Sequence, residues 1–371
     1  MEEKMNLKHF FRMILTVLLL SSLTVFVACF PLSCRVTEEG IEIISAEMSV
    51  PKILSFFVED NSNLVMLCSQ KVSVQKLQIK SDDGEYIEET AEAQYFDDGK
   101  RINFSLKEPT LVGVNYVFSG SIKDSSGNEL TFSLPFTGFN EKPARLVLSE
   151  IRSKHSTSKG VLKKCEFIEV YVLKEGSTAG LEIVTGSDGE SKKYVFPDIN
   201  VKKGEYIVVH FRTIDEGECI DELGENLSLS TGTDSSNSRD LWVEGKESRI
   251  SDSDVIVIRD SCRNMLQDAV LFSAAGKQSW YYAGQKSLAL EAYESGIWKD
   301  GYEPKNATIA DGISLTRTMC RMNIEKLTEE YSSENDIDVQ TVIETGTEDW
   351  SLVEGATPGG KNSEKRYEKT K

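Results

Sequence analysis

The sequence predicts an all-β chain: two antiparallel β-sandwich domains in tandem after a signal peptide. Short runs rich in Val, Ile, Phe and Leu recur at strand length, Asp-Gly and Ser-Gly turn chemistry separates them, and the first thirty residues are basic and then apolar. With 39% hydrophobic residues, 16 Phe, 12 Tyr and 4 Trp among 371 positions, there is enough apolar material for real cores, and a wholly disordered chain is excluded. At roughly 150 residues per domain, that length suggests about two domains.

In the first domain (51–140), Ile53–Val58, Leu64–Cys68, Val72–Ile79, Ile102–Leu106, Tyr116–Ile122 and Glu129–Phe136 read as strands. The turns between them include Asp82-Asp83-Gly84, Asp97-Asp98-Gly99 and Asp124-Ser125-Ser126-Gly127-Asn128. Tyr116, Phe118 and Gly120 alternate with Val117, Ser119 and Ser121, the pattern of a strand with one buried face. Gly138 to Ala144 reads as a linker. The second domain (146–362) continues with strands at Leu146–Leu148, Glu166–Leu173, Leu181–Val184, Lys193–Phe196, Tyr206–Phe211, Asp254–Ile258 and Ala269–Phe272. Ser228 to Asp240 reads as a long polar loop, and the spacing of Leu290, Tyr293 and Ile297 allows one short helix within 276–300. Residues 324–349 hold nine acids and one base and read as a solvated insertion, and 363–371 as a frayed tail.

Charge narrows the function classes. A net charge of -18 argues against nucleic acid as a partner, because such binding rests on Lys and Arg neutralising phosphates. Three His in the whole chain make a multi-histidine metal centre improbable, so neither a metal nor a cofactor is expected.

The leader is specific. Lys4, Lys8 and Arg12 precede an uncharged run from Met13 to Phe30, the order of a secretory signal spanning 1–28. An uncleaved anchor and plain secretion are the alternatives, since about 18 apolar residues nearly span a bilayer. Ala28-Cys29 resembles a bacterial lipobox, with Phe26 departing from the usual Leu; the resemblance implies that Cys29 is acylated and that the membrane is reached through this lipid. Each buried CH2 of such chains contributes about 0.8 kcal/mol. Residues 29–50 would then be a tether, and the mature chain, three bases and two acids fewer, would carry -19. Cys34, Cys68, Cys165, Cys219, Cys262 and Cys320 remain as disulfide candidates of unknown pairing, or as buried free thiols.

A set of ordered motifs runs through 146–362: Leu148-Ser149-Glu150-Ile151, Glu166-Phe167-Ile168-Glu169-Val170-Tyr171, Gly204-Glu205-Tyr206, Asp268-Ala269-Val270, Ser314-Leu315-Thr316-Arg317, Asp349-Trp350, and Thr357-Pro358-Gly359 with Asn362. In this order they resemble the bacterial lamin-tail domain, which implies an immunoglobulin-like sandwich. Val172 stands where that family usually has Asn, and 276–300 and 324–346 are enlarged. Residues 51–138 are similar to bacterial Ig-like modules of surface proteins, carried by Pro51-Lys52-Ile53-Leu54 and Asp124 to Phe132.

The recurrent residues read as structural: Phe167, Ile168 and Tyr171 as core, Glu150 and Glu169 as acceptors of backbone N–H groups, Pro358-Gly359 as a turn, Trp350 as the seal of a sandwich end. His155 and His210 read as exposed or hydrogen-bonded rather than as bases, and no serine nucleophile elbow occurs. The expectation is therefore a non-catalytic, membrane-anchored lipoprotein of the bacterial cell envelope, a binding or scaffold module for an unknown protein or glycan partner. An accessory role in a secreted nuclease or hydrolase system and a purely architectural role are the alternatives.

Overall fold

The computed structural model describes residues 50–81, 86–88, 91–156, 164–187, 192–214, 218–230, 238–331 and 337–368. The expected signal peptide, Cys29, Cys34, most of the tether and the Asp83-Gly84 turn lie outside these residues.

The first body is built from β1 (Ile53–Val58), β2 (Asn63–Cys68), β3 (Val72–Ser81), β4 (Tyr86–Glu88), β5 (Ala91–Phe96), β6 (Arg101–Leu106), β7 (Asn115–Asp124) and β8 (Glu129–Thr137). They form two four-stranded sheets, β1-β2-β6-β5 and β4-β3-β7-β8, with antiparallel pairing throughout. The inner faces supply Leu64, Met66, Ile79, Ile102, Phe104, Tyr116, Phe118 and Ile122 to one core. Phe118 is its centre. It stacks on Phe56 at 5.7 Å and meets Phe104 edge-on at 4.9 Å, so rings of both sheets interlock. The alternation seen in β7 holds for Tyr116 and Phe118 and then breaks, because β3 bulges between Val74 and Lys76. Gly120 lies beside that bulge, where a Cβ would sit 2.2 Å from the Lys76 carbonyl oxygen. Beyond it Ser121 and Ile122 are both buried. At the far end of β7, Asp124 Oδ1 accepts the N–H groups of Ser126 and Asn128, closing the turn into β8.

The expected linker is fastened rather than loose. Asn140 Nδ2 donates to Ser177 O and Ala179 O, Arg263 Nη2 donates to Asn140 O at 2.8 Å, and the Arg263 guanidinium lies 4.4 Å over the Phe139 ring.

The second body contains β9 (Arg145–Arg152), β10 (Phe167–Lys174), β11 (Gly176–Ser177), β12 (Leu181–Thr185), β13 (Lys192–Val195), β14 (Asn200–Val201), β15 (Tyr206–His210), β16 (Arg239–Trp242), β17 (Asp254–Asp260), β18 (Met265–Ser273), α1 (Ala283–Glu294), β19 (Thr308–Ile309), β20 (Thr318–Arg321), α2 (Ile324–Glu330) and β21 (Trp350–Val353). A six-stranded sheet, β16-β15-β10-β9-β20-β21, faces a five-stranded sheet, β13-β12-β17-β18-β19. Pairing is antiparallel except for β15 with β16 and β18 with β19. Between the sheets Leu146, Leu148, Ile168, Val170, Ile183, Val257, Val270 and Phe272 form the main core. The predominantly β architecture in two sandwich-like bodies agrees with the sequence expectation.

All eight residues of β9 are buried, so both of its faces are covered. Its second cover is a small outer layer in which Ile324 and Leu327 of α2, with Ile337 and Ile343, pack on Val147, Tyr171 and Leu173. Residues 324–349 are therefore not simply a solvated insertion; Glu325, Glu329, Glu330, Asp338, Glu344 and Glu348 are exposed while four apolar side chains close the sheet. The expected tail is likewise tied down as far as 368: Val353 bridges to Arg366, and Arg317 lies 4.3 Å over the Tyr367 ring. The helix forms where one was allowed, but it packs on Leu288, Ala289 and Ala292, while Tyr293 is 45% exposed and Ile297 is buried beyond the helix end. Small residues win that face because the helix lies close to the sheet, with the main chain of Gln285 only 2.6 Å from where a Cβ of Gly186 would be.

Of the disulfide candidates that the structure describes, Cys68, Cys219, Cys262 and Cys320 are free thiols. Cys219 and Cys320 are held locally, by Ile214 and by the Thr318 hydroxyl. Cys262 Sγ donates to Gly138 O at 3.2 Å, and burial pushes the thiols of Cys68 and Cys320 up and that of Cys262 up to about 11.

Phe118→Ala removes the ring on which both sheets of the first body converge. Urea unfolding should show a loss of about 3–5 kcal/mol; a loss below 1 kcal/mol would contradict this account of the core.

Candidate functional site

Of the motif residues dispersed over 146–362, Glu150, Glu169, Thr357, Gly359 and Asn362 meet on the outer face of β9 and β10. Ile151 pairs with Ile168 and Glu150 with Glu169, but Leu148 pairs with Val170, so Ser149 bulges out of register. The bulge aims Glu150 away from the apolar interior, beside Glu169 on the neighbouring strand. Neither carboxylate has any exposed surface.

What covers them is the C-terminal turn. Glu150 accepts the Thr357 N–H at 3.0 Å and the Thr357 hydroxyl at 3.1 Å, and also a side-chain hydrogen bond from Thr318. Glu169 Oε2 accepts the Gly359 N–H at 2.6 Å. Asn362 Nδ2 then donates to Ser149 O and Arg321 O, pinning the bulge itself. Gly359 has φ +77°, a left-handed conformation that glycine adopts without strain and that follows directly from Pro358. Burial raises the pKa of both acids, and the Glu150 charge raises that of Glu169 further, well above the usual carboxylate range.

A second buried charge braces the same seam. Arg321 Nη1 lies 2.6 Å from Asp268 Oδ2, with neither side chain exposed. Asp268 Oδ2 also accepts the Leu148 N–H at 2.7 Å, and the adjacent Gln267 accepts from Leu146 N–H and donates to Ala144 O. Side chains of β18 thus serve the main chain of β9 and join the two sheets. Trp350, 3% exposed, packs in the main core, and its indole N–H points to Thr345 Oγ1 at 3.3 Å.

The other motif residues support this arrangement. Ile168 enters the main core, whereas Phe167 carries the Arg152 guanidinium 4.6 Å above its ring, and Tyr171 meets Tyr206 edge-on at 5.1 Å. Gly204, at φ +87°, turns the chain into β15. Arg317 Nε donates to Gly312 O at 2.8 Å, and its cation faces Tyr367. An open cleft of about 480 Å³ borders the seam, walled by Tyr171, Tyr206, Thr328, Arg321, Lys361 and Asn362.

His210 is not exposed. Its Nε2 lies 2.6 Å from Asp240 Oδ1, and its ring stacks on Trp242 at 4.0 Å. Asp240 and Trp242 belong to β16, which the sequence assigned in part to a polar loop. Sequence reasoning also missed Asp254, which accepts N–H groups of Gly186, Ser251 and Val255, as well as the Ser187 hydroxyl; burial raises its pKa to about 6. The available signal was an acid opening an otherwise apolar run, Asp254-Val255-Ile256-Val257-Ile258. Among the described residues no group of three or more His, Cys, Asp or Glu is arranged to hold a metal ion.

The raised carboxylates fix a sign. An acid whose pKa is higher folded than unfolded binds its proton more tightly in the fold, so stability is lost as pH climbs from its unfolded value through its folded one. For Asp254 that window runs from about 4 to about 6, and Glu150, Glu166, Glu169 and Asp260 shift in the same direction. Thermal unfolding should therefore give a higher Tm at pH 5 than at pH 7.5. Glu169→Gln, which mimics the protonated acid, should flatten part of that slope; a Tm that rises with pH contradicts the assignment. Arg321→Met leaves Asp268 buried without its counter-charge and should cost about 3–5 kcal/mol in denaturant unfolding.

An uncharacterized protein of Treponema pallidum (strain Nichols) is 31% identical over 200 residues, 52% of this chain; the match spans about half (49%) of that relative's length. Among solved structures, the N-terminal part of the bacterial S-layer protein SbsC matches 63% of this chain and 46% of its own at 14% identity, with a TM-score of 0.25. A DUF4876 family protein from Bacteroides thetaiotaomicron matches 68% and 83% at 12% identity, also with a TM-score of 0.25. Likeness at that level assigns no role. Residues 144–352, from just before β9 into β21, match the family described as the TP_1001 protein second domain, more than half of the chain, and the protein belongs to that family.

Proposed function

We propose that this protein is a non-catalytic lipoprotein of the bacterial cell envelope, anchored through acylated Cys29, whose Ig-like first domain and lamin-tail-like second domain serve as a binding or scaffold module for a protein or glycan partner. The observation that carries the non-catalytic reading is the use to which the buried acids are put. Glu150 and Glu169 are held by main-chain N–H groups of the chain's own C-terminal turn. Asp268 is held by Arg321 and a strand N–H. Acids that receive donors of the chain's own turn and strands in this way fasten a fold; they do not line an open reaction site. The anchor rests on the sequence: the basic start, the apolar run and Ala28-Cys29. An acidic body beside anionic head groups is repelled, so attachment falls to the lipid. The partner would meet loops at a sandwich end or a free strand edge.

Metabolic labelling with a fatty acid in a bacterial host tests the anchor. The full chain should take up label and sediment with membranes, and Cys29→Ala should lose both properties. Label persisting in that variant, or none in the parent protein, overturns the assignment.

A further inference from the structure

We propose that a polar cleft at the opposite end of the second body from the linker-docked turn binds a phosphoryl group. This site goes beyond the proposed function and stands independently of the lipid anchor. Three segments meet there: Ser153-Lys154-His155, which leave β9; Ser187, which follows β12; and Arg249 with Ser251, which precede β17. They enclose about 380 Å³, room for a phosphoryl group and a few further atoms.

The donors decide the ligand's charge. Ser153 is 3% exposed, lines the cleft, and its hydroxyl has no hydrogen-bond partner among the described residues. Arg249 Nη2 donates to Glu244 O at 2.9 Å, but its Nε–H is buried and also lacks a partner. Behind the cleft, Arg212 Nη1 is in the same position. Leaving such groups desolvated and unpaired is unfavourable, which makes each a mark of something that accepts hydrogen bonds there.

The acids nearby are already engaged. Glu166 accepts Arg249 N–H at 2.7 Å and the Ser248 hydroxyl at 2.9 Å. Asp254 accepts the Ser187 hydroxyl and Ser251 N–H, and Asp252 is ion-paired with Lys154. The unengaged groups are therefore donors, in a chain whose net charge is -18. Burial, and then the positive charges of Arg212 and Lys154, lower the pKa of His155, so its neutral ring adds a further N–H without adding charge. A guanidinium with hydroxyls converging from separate segments suits an acceptor with several oxygens, such as phosphate.

The full chain should be titrated by calorimetry with inorganic phosphate and with glycerol phosphate, at constant ionic strength against chloride, and sedimented with phosphatidylglycerol vesicles in the Cys29→Ala background. Phosphate or glycerol phosphate should bind, and Ser153→Ala and Arg249→Gln should each weaken binding at least about tenfold, about 1.4 kcal/mol, with unchanged circular dichroism. Ser153→Ala removes no hydrogen bond made among the described residues, so its effect is not a folding defect. Equal binding of both soluble probes supports a free phosphate ligand. Tighter binding of glycerol phosphate together with vesicle capture supports a lipid head group. No binding of either soluble probe, or affinity untouched by both substitutions, overturns the proposal.

Discussion

Two carboxylates facing each other across neighbouring strands, both removed from water, constitute the constraint around which the second body is arranged. Charges of like sign in such a place are costly, and the fold meets the cost by bringing its C-terminal turn back across 190 to 207 residues of sequence to supply N–H and hydroxyl donors. The bulge at Ser149 is what points Glu150 to that turn, and Asn362 closes over the bulge. Bulge, acid pair and closing turn are a single device, in which each part lacks a hydrogen-bond partner if another is removed.

The same logic extends inward. β9 is covered on both faces, so its backbone and side chains have no recourse to water. Gln267 and Asp268 reach from the opposite sheet to serve Leu146 and Leu148, and Arg321 balances the charge of Asp268. Buried polar groups of this kind specify one arrangement of the sheets, because a slipped register would leave several of them unpaired at once. The outer layer of α2 and the segment containing Ile337 and Ile343 then shields the strand from the other side. At the polar cleft, the Ser153 hydroxyl and the Arg249 Nε–H are buried without acceptors.

Much of this was legible in the sequence because strand period and turn chemistry are local. The runs at 53–58, 102–106, 166–173 and 254–258 lie within a residue or two of observed strands, and the Asp124 turn is closed by its own side chain as Asp turns are. The role of Glu150 and Glu169 as acceptors of backbone N–H groups was also readable, although not that the two face each other. β16 was not, since Arg239-Asp240-Leu241-Trp242 follows a polar stretch and becomes a strand only by parallel addition to β15, where His210 and Glu222 receive its charged residue and main chain. The apolar face of 324–349 was hidden by the acids around it, as four widely spaced residues form no period until a sheet is placed beneath them.

Taken alone, the sequence determined the class of the fold and the division into two bodies, because periodicity and turns are written in consecutive residues. Only the tertiary structure decided which acids are buried together, which thiols stay apart and which donors are left open at Ser153 and Arg249. Those outcomes depend on register and on contacts such as that of Glu150 with Thr357, 207 residues apart, and burial, which sets the energy of a charge, is a property of the assembled layers and not of any segment.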